Sequence, residues 1–403
     1  RSGPQRNRTM AMEKKYLIIN IGSASKKYSI YSDRELLAVH LEKETGDYTA
    51  SLTLEGKREE KKIVADDYEN AATFIIKTAQ DKNILNALSD ISAIGVRIVA
   101  PGIYFQDHRK IDAEYMSKLK AAQEMAPLHI APAINELEKL LALTSSIPIY
   151  GISDSAFYKN MPIEAKLYGL PQDIAKQFEI YRYGYHGISM ESILDKITTL
   201  NGSVPSKLVI CHLGSGSSIT ALKDGAPVDT SMGFTPLEGL PMGSRVGNID
   251  AGAVLYLLKK LKISPEELEM FLNKKSGLLG ISGKTQFVKE LISFEKSGDE
   301  SATIALSIYS RAVRKYIGAY AALLDGLDMV VFTATIGERS AFMRNKICSG
   351  LRSLGIVLDR QKNESTISTN GFIHASNIKV AVVATDETAQ IVYLLSKFKV
   401  VGL

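Results

Sequence analysis

The chain has 403 residues, 45% of them hydrophobic and 23% charged, an ordinary balance for a globular protein with apolar content for two or three cores. Its formal charge of +5 is small for this length and its basic residues are scattered, which argues against nucleic acid as a partner. Cys211 and Cys348 supply no disulfide framework and fit a reducing cytoplasm, no secretory signal is legible, and no apolar run reaches the ~18 residues of a membrane helix.

The opening "RSGPQRNRTMAM" is polar and patternless and reads as an expression remnant. Strand and helix signals then alternate, which predicts an α/β protein. "KYLIIN" and "YSIYS" read as neighbouring strands joined by a Gly-Ser corner, and "AIGVRIV" as a strand stopped by Pro101-Gly102. "IPIYGISD" predicts a strand ending on an exposed polar loop. The second half restarts with "KLVICHLGSGSSITALKDG", whose final Asp-Gly is a hairpin signal. Ser264-Pro265-Glu266-Glu267 predicts a helix start. Tyr309, Val313, Tyr316, Ile317, Tyr320 and Leu324 follow helical spacing up to a stop at Gly326. "DMVVFTATIGERS" predicts a buried strand and a turn, and "DETAQIVYLLSKF" a closing helix.

One pattern occurs twice, about half a chain apart. Asn20-Ile21-Gly22-Ser23-Ala24-Ser25 and His212-Leu213-Gly214-Ser215-Gly216-Ser217 each follow a β-branched run and precede a second strand. A hairpin closed by Gly and Ser exposes backbone N–H groups and hydroxyls at one tight point, which suits phosphate oxygens. Either copy alone reads as a plain turn. Both together suggest a duplicated domain with two phosphate-facing corners across a cleft, the arrangement of actin-like phosphotransferases.

The longer motifs carry a resemblance to a known family. "NIGSASKKY", "APLH", "SDSAFYKNMP", "YRYGYHGIS", "CHLGSGSSITALKDG", "DTSMGFTPLEGLPMGSRVGNID", "KKSGLLGISG", "KYIGAYAALLDGLDMVVFTATIGE" and "ATDE" run from about Tyr16 to the C-terminus. The chain resembles the acetate kinases and their short-chain acyl kinase relatives. The resemblance implies a duplicated actin-like (ribonuclease H-like) α/β fold of two domains with a central cleft. Residues 13–154 would form the first domain, with helix 386–403 packing back on it. Residues 155–385 would form the second, nucleotide-binding and dimerising domain. It also implies a cytoplasmic homodimer that moves the terminal phosphoryl of ATP to acetate or propionate and back, ADP being the product, with Mg²⁺ as cofactor and Mn²⁺ able to substitute.

Phosphoryl transfer asks a protein for positioning and charge neutralisation. Arg97 in "GVRIV" and Arg245 in "GSRVG" would each read alone as a surface cation; within the motifs they resemble the family's two active-site arginines, forks suited to carboxylate or phosphoryl oxygens. Asp154 either orients the attacking carboxylate through a network or acts with the metal. His186 resembles the histidine that stabilises the equatorial oxygens of the transition state. His212 and His129 either donate to phosphate or line the cleft. Ser23, Ser25 and Lys27 of the first corner, with Gly214 and Gly216 of the second, are the phosphate-binding expectation. Asn20 and Glu387 match the family pair near the metal. Val99, Leu128, Tyr185 and Pro236 match the positions lining a small acyl niche; Tyr185 stands where Phe is frequent, and its hydroxyl makes that niche more polar.

The departures fall elsewhere. Val96 and Ala100 stand where the family often has His, Pro101 where it has Gly, and Ile130 and Ser215 where it has Asn. In the adenosine region, with Gly337, a Gly-Gly pair becomes Ala334-Thr335, and an Asp-x-Arg becomes Phe287-Val288-Lys289. These changes predict weaker handling of adenine nucleotides. They keep open a different donor such as pyrophosphate or a different acid, and, from another class, a non-catalytic relative.

Overall fold

A computed structural model describes residues 14–22, 25–44, 47–144 and 146–401. The fold follows from apolar runs long enough to be covered on both faces. "KYLIINI" (Lys15–Ile21) and "KLVICHL" (Lys207–Leu213) read continuously apolar because helices pack on either side of their sheets. In the latter strand Val209, Cys211 and Leu213 share a core with Leu306, Tyr309, Val313 and Ile317 of helix Glu300–Leu323. Leu208 and Ile210 point the other way, onto Met190, Ile193 and Ile197 of helix Gly187–Asn201.

The described residues divide into two compact units. The first takes its members from Arg1–Ile98, His108–Ile152 and Ile391–Leu403, the second from Val99–Asp107 and Ser153–Gln390. Among the described residues the first sheet has eight strands: β1 (Lys15–Ile21), β2 (Ser25–Tyr31), β3 (Glu35–Glu44), β4 (Asp47–Leu54), β5 (Lys57–Ile63), β6 (Ile91–Ile98), β7 (Arg109–Lys110) and β8 (Ile149–Ser153), ordered β5-β4-β3-β2-β1-β6-β8-β7. The second has six: β9 (Lys207–Leu213), β10 (Ser217–Lys223), β11 (Ala226–Thr230), β12 (Met329–Thr333), β13 (Gly371–Phe372) and β14 (Lys379–Val382), ordered β11-β10-β9-β12-β14-β13.

The core of the two sheets is the same. In each, an antiparallel meander (β1-β2-β3, β9-β10-β11) is extended by a strand parallel to its first member, β6 beside β1 and β12 beside β9. The repeated corner is therefore the β1–β2 turn in one copy and the β9–β10 turn in the other. The two close differently. Ile21 faces Lys26 and Gly22 N–H donates to the Ser25 carbonyl at 2.8 Å, whereas Leu213 faces Ser217 and Gly214 N–H donates to the Gly216 carbonyl at 3.1 Å. Motifs that align residue for residue thus make hairpins one residue apart in register.

The helix start at Ser264 is a full capping box, with Glu267 N–H on Ser264 Oγ at 3.1 Å and Ser264 N–H on Glu267 Oε2 at 2.8 Å. The turn expected after β12 is a correction: Ala334–Arg339 is helical, because the Glu338 carboxylate takes the Ala334 N–H at 2.8 Å and holds the first turn closed. The closing helix Glu387–Val401 meets the first sheet through Ile391 and Leu395, which lie over Gly95, and through Phe398, which stacks on Tyr150 at 4.7 Å.

Candidate active site

In the second unit the chain leaves β8 and turns at Asp154, a fully buried carboxylate. Its Oδ2 accepts from the His186 backbone N–H at 2.7 Å, and its carbonyl accepts from Gly187 N–H at 2.8 Å. Those two residues open helix Gly187–Asn201, so Asp154 ties the helix entrance to the strand end. His186 itself has φ +65°, a left-handed conformation that costs a β-carbon residue about 1–2 kcal/mol. Its ring is held on two further sides. Nδ1 shares a hydrogen bond with Ser218 Oγ at 2.9 Å, and the imidazole stacks on His212 with centroids 4.1 Å apart. His212 is fixed in turn by Ser189 Oγ at 2.9 Å from its Nδ1, and Ser189 bonds Thr385 Oγ1 at 2.8 Å.

The second corner faces this pair. A β-carbon built on Gly216 would lie 3.2 Å from His186 Nε2 and 3.7 Å from Arg245 Nη1, so the glycine backbone, the imidazole and the guanidinium converge on one spot. Arg245 Nη1 donates to the Pro236 carbonyl at 3.2 Å and lies 3.6 Å from Met242 Sδ. Val99 and Phe234 pack against the buried cluster of Tyr183, Tyr185, Met232 and Met242. Three of the four expected niche residues, Val99, Tyr185 and Pro236, therefore belong to the surroundings of Arg245 and His186. The Tyr185 hydroxyl donates to the Phe234 carbonyl at 2.7 Å, so its polarity is satisfied inside the cluster; burial first of all holds this phenol well above its usual range. Burial, and then the Arg245 charge, pushes the Lys274 ammonium below the usual lysine range.

The expected nucleotide residues lie on several elements. Gly214 looks onto the Ala334-Thr335 turn: a β-carbon on Gly214 would lie 3.5 Å from Ala334 Cβ and 3.9 Å from Thr335 N. Ala334 has φ +62°, the backbone region in which glycine is at ease. Glu338 accepts from Ala334 N–H at 2.8 Å and Thr385 N–H at 3.1 Å. Arg344, fully buried, donates to the Gly337 and Glu338 carbonyls and to Asn363 and Thr366, and burial pushes its pKa down to about 10. Phe287, at the start of helix Val288–Lys296, is 53% exposed, and Lys289 follows it on that helix.

In the first unit Arg97 on β6 donates through Nη1 to Asn20 Oδ1 at 3.1 Å, and Lys27 faces Asn20 across the β1–β2 pair. Ser25 opens β2, while Ser23 lies outside the described residues. Leu128 and His129 occupy the first turn of helix Pro127–Leu143, and Ile130 is buried. Glu387 begins the closing helix. Among the described residues no group of three or more His, Cys, Asp or Glu could hold a metal, and no helix is long and apolar enough to cross a membrane. Sequence reasoning missed Ser218, Ser189, Glu338, Arg344 and Lys274. Ser189, Ser218, Lys274 and Glu338 stood inside recognised motifs and Arg344 outside them; none of the five carries a periodic or spacing signal.

Two sheets with the same core strand order, each carrying a Gly-Ser corner at its first hairpin, define a duplicated actin-like protein. The chain belongs to the acetokinase family, whose pattern matches residues 15–393. It is 37% identical over 387 residues to the acetate kinase of Treponema denticola, covering 94% of this chain and 98% of that one. To the acetate kinase of Dictyoglomus thermophilum it is 38% identical over 391 residues, covering 94% and 97%. Among solved structures, the propionate kinase of Francisella tularensis superposes with a TM-score of 0.87 at 32% identity, covering 94% of this chain and 98% of that one. The Porphyromonas gingivalis acetate kinase gives a TM-score of 0.85 at 31% identity, covering 95% and 99%.

Proposed function

We propose that this chain transfers the γ-phosphoryl of ATP to acetate or propionate, reversibly and in one in-line step. A carboxylate oxygen attacks the γ-phosphorus while the bond to the β–γ bridging oxygen breaks, and ADP leaves with that electron pair. The observation that carries this reading is the convergence of Gly216, His186 and Arg245 beside an apolar cluster. Backbone N–H groups, an imidazole and a guanidinium suit a phosphoryl group bearing negative charge, and the cluster suits a short acyl chain. Arg245 and Arg97 neutralise the two anions, and His186 supports the equatorial oxygens. Asp154 acts as a positioning residue, since its carboxylate holds the His186 backbone. His212, Gly214 and Gly216, with Ser25 and Lys27, cradle phosphates.

Mg²⁺ calls for hard oxygen ligands, and Asn20 and Glu387 would each offer one. When bound, it neutralises charge on the polyphosphate. If Val99, Tyr185 and Pro236, with Leu128, line a small acyl niche, acetate and propionate are used and hexanoate rejected. One methylene is worth only ~1–3 kcal/mol in such a pocket, so the two short acids need not differ much. Equal kcat/KM for acetate and hexanoate would show that the niche is open.

The Ala334-Thr335 turn supports a raised KM for ATP. Ala334 sits in a left-handed conformation with its methyl toward Gly214. Replacing Ala334 and Thr335 with Gly is expected to lower the ATP KM by about 3–10-fold, roughly 1 kcal/mol of crowding relieved. An unchanged KM would locate the nucleotide elsewhere. Helix Ala251–Leu261 is apolar yet has no buried residue, with Leu255 59% and Tyr256 60% exposed, which supports a homodimer. Sedimentation should give twice the 44.1 kDa chain mass, and Leu255→Glu with Tyr256→Glu should halve it.

A further inference from the structure

The turn carrying Arg245 is stitched to one short stretch of chain. Within the turn, Met242 N–H donates to the Arg245 carbonyl at 3.0 Å. Residues 272–279 supply the bonds that hold it from outside. Val246 N–H reaches the Leu272 carbonyl at 2.9 Å and Ser244 Oγ the Asn273 carbonyl at 2.9 Å. Ser276 N–H reaches the Ser244 carbonyl at 3.0 Å, and Leu278 and Leu279 N–H reach the Met242 and Gly243 carbonyls, each at 2.9 Å. At the centre stands Gly277, buried and at φ +60°. A β-carbon there would lie 2.2 Å from the Met242 carbonyl oxygen, 2.5 Å from the Arg245 carbonyl oxygen and 2.9 Å from the Arg245 nitrogen. Those are backbone atoms, which cannot swing aside as a side-chain tip would.

We propose that Gly277 is a positioning residue for the phosphoryl transfer, its missing side chain letting residues 272–279 close on the Arg245 turn and aim that guanidinium at the Gly216 corner. This rests on the reading of Arg245 as a catalytic cation. A displacement of about 1 Å at a catalytic group costs up to ~100-fold in rate, so the backbone shift forced by a methyl is enough to be read kinetically. Ser244 Oγ, which ties the same turn through one hydrogen bond, has a milder effect in the same direction.

The test is a double-mutant cycle. Gly277→Ala and Ser244→Ala are made singly and in the Arg245→Ala background, and kcat and KM are measured with folding followed by circular dichroism and thermal unfolding. In the parent, Gly277→Ala should lower kcat by about 100-fold, and Ser244→Ala by about 5-fold. In the Arg245→Ala background both losses should shrink to under about 2-fold, because there is no guanidinium left to aim. Equal losses in both backgrounds, or full kcat in folded Gly277→Ala, overturns the inference. If Gly277→Ala does not fold, the Ser244→Ala cycle decides by the same criterion. Full turnover in Arg245→Ala alone would overturn the reading of Arg245, and this inference with it.

Discussion

Arg245→Ala and Arg97→Ala are each expected to lower kcat by about 10²–10³-fold, some 3–4 kcal/mol of transition-state stabilisation, while the protein stays folded. The reaction brings a carboxylate against a polyphosphate, so the anions must be neutralised where they meet. On the proposed reading Arg245 does this: its Nη1 is anchored by the Pro236 carbonyl and lies near the Gly216 corner. Arg97 is anchored through Nη1 by Asn20 Oδ1. Both are only partly buried, so truncation leaves no core cavity and the loss should be kinetic. Lysine at either site keeps the charge but not the planar fork, and should recover part of the rate. Near-normal turnover in either alanine variant, with an unchanged circular dichroism spectrum, removes that arginine from the reaction.

His186→Asn is expected to lower kcat by about 100-fold with little change in stability. Asn tolerates the left-handed backbone that His186 adopts at φ +65°, so it keeps the helix entrance while removing the ring. Asp154→Ala should act on both counts. It leaves the His186 N–H unpaired in a buried site, costing ~1–3 kcal/mol of stability, and it frees the ring to shift, costing about 10–100-fold in kcat. Asp154→Asn keeps an acceptor for that N–H and should retain most of both. If Asp154→Asn were instead as damaging to kcat as Asp154→Ala at full stability, the carboxylate charge itself would be needed and Asp154 would touch the substrates or the metal.

Much of this architecture was legible in the residues. The two Gly-Ser corners announced the duplication, and continuous apolar runs marked β1 and β9 as strands covered on both faces. What the pattern could not carry was local backbone state and long-range closure. The corners align position for position and share their Gly and two Ser, yet close in different registers, because register is set by partner strands rather than by the turn alone. "KREEKKI" has no alternating apolar face, since β5 is an exposed, charged edge, so nothing in it signals a strand. The helix at Ala334 was read as a turn because its first N–H is capped by Glu338, four residues ahead, within the same segment. Asp154 could be read as a metal or substrate group; its hydrogen bond to the His186 backbone spans 32 positions and is visible only in three dimensions. The Ala334 departure was plain as a letter, but its positive φ, which gives the letter physical meaning, was not.

The central claim is carboxylate phosphorylation from ATP, and the direct measurement is acyl-hydroxamate formation with acetate, propionate, butyrate and hexanoate. Each acid is paired with ATP or pyrophosphate, with and without Mg²⁺. The account predicts hydroxamate from acetate and propionate with ATP and Mg²⁺, little from hexanoate, and none once Mg²⁺ is chelated. Product from pyrophosphate at a rate equal to or above that from ATP, or no product with any acid and donor, would contradict it.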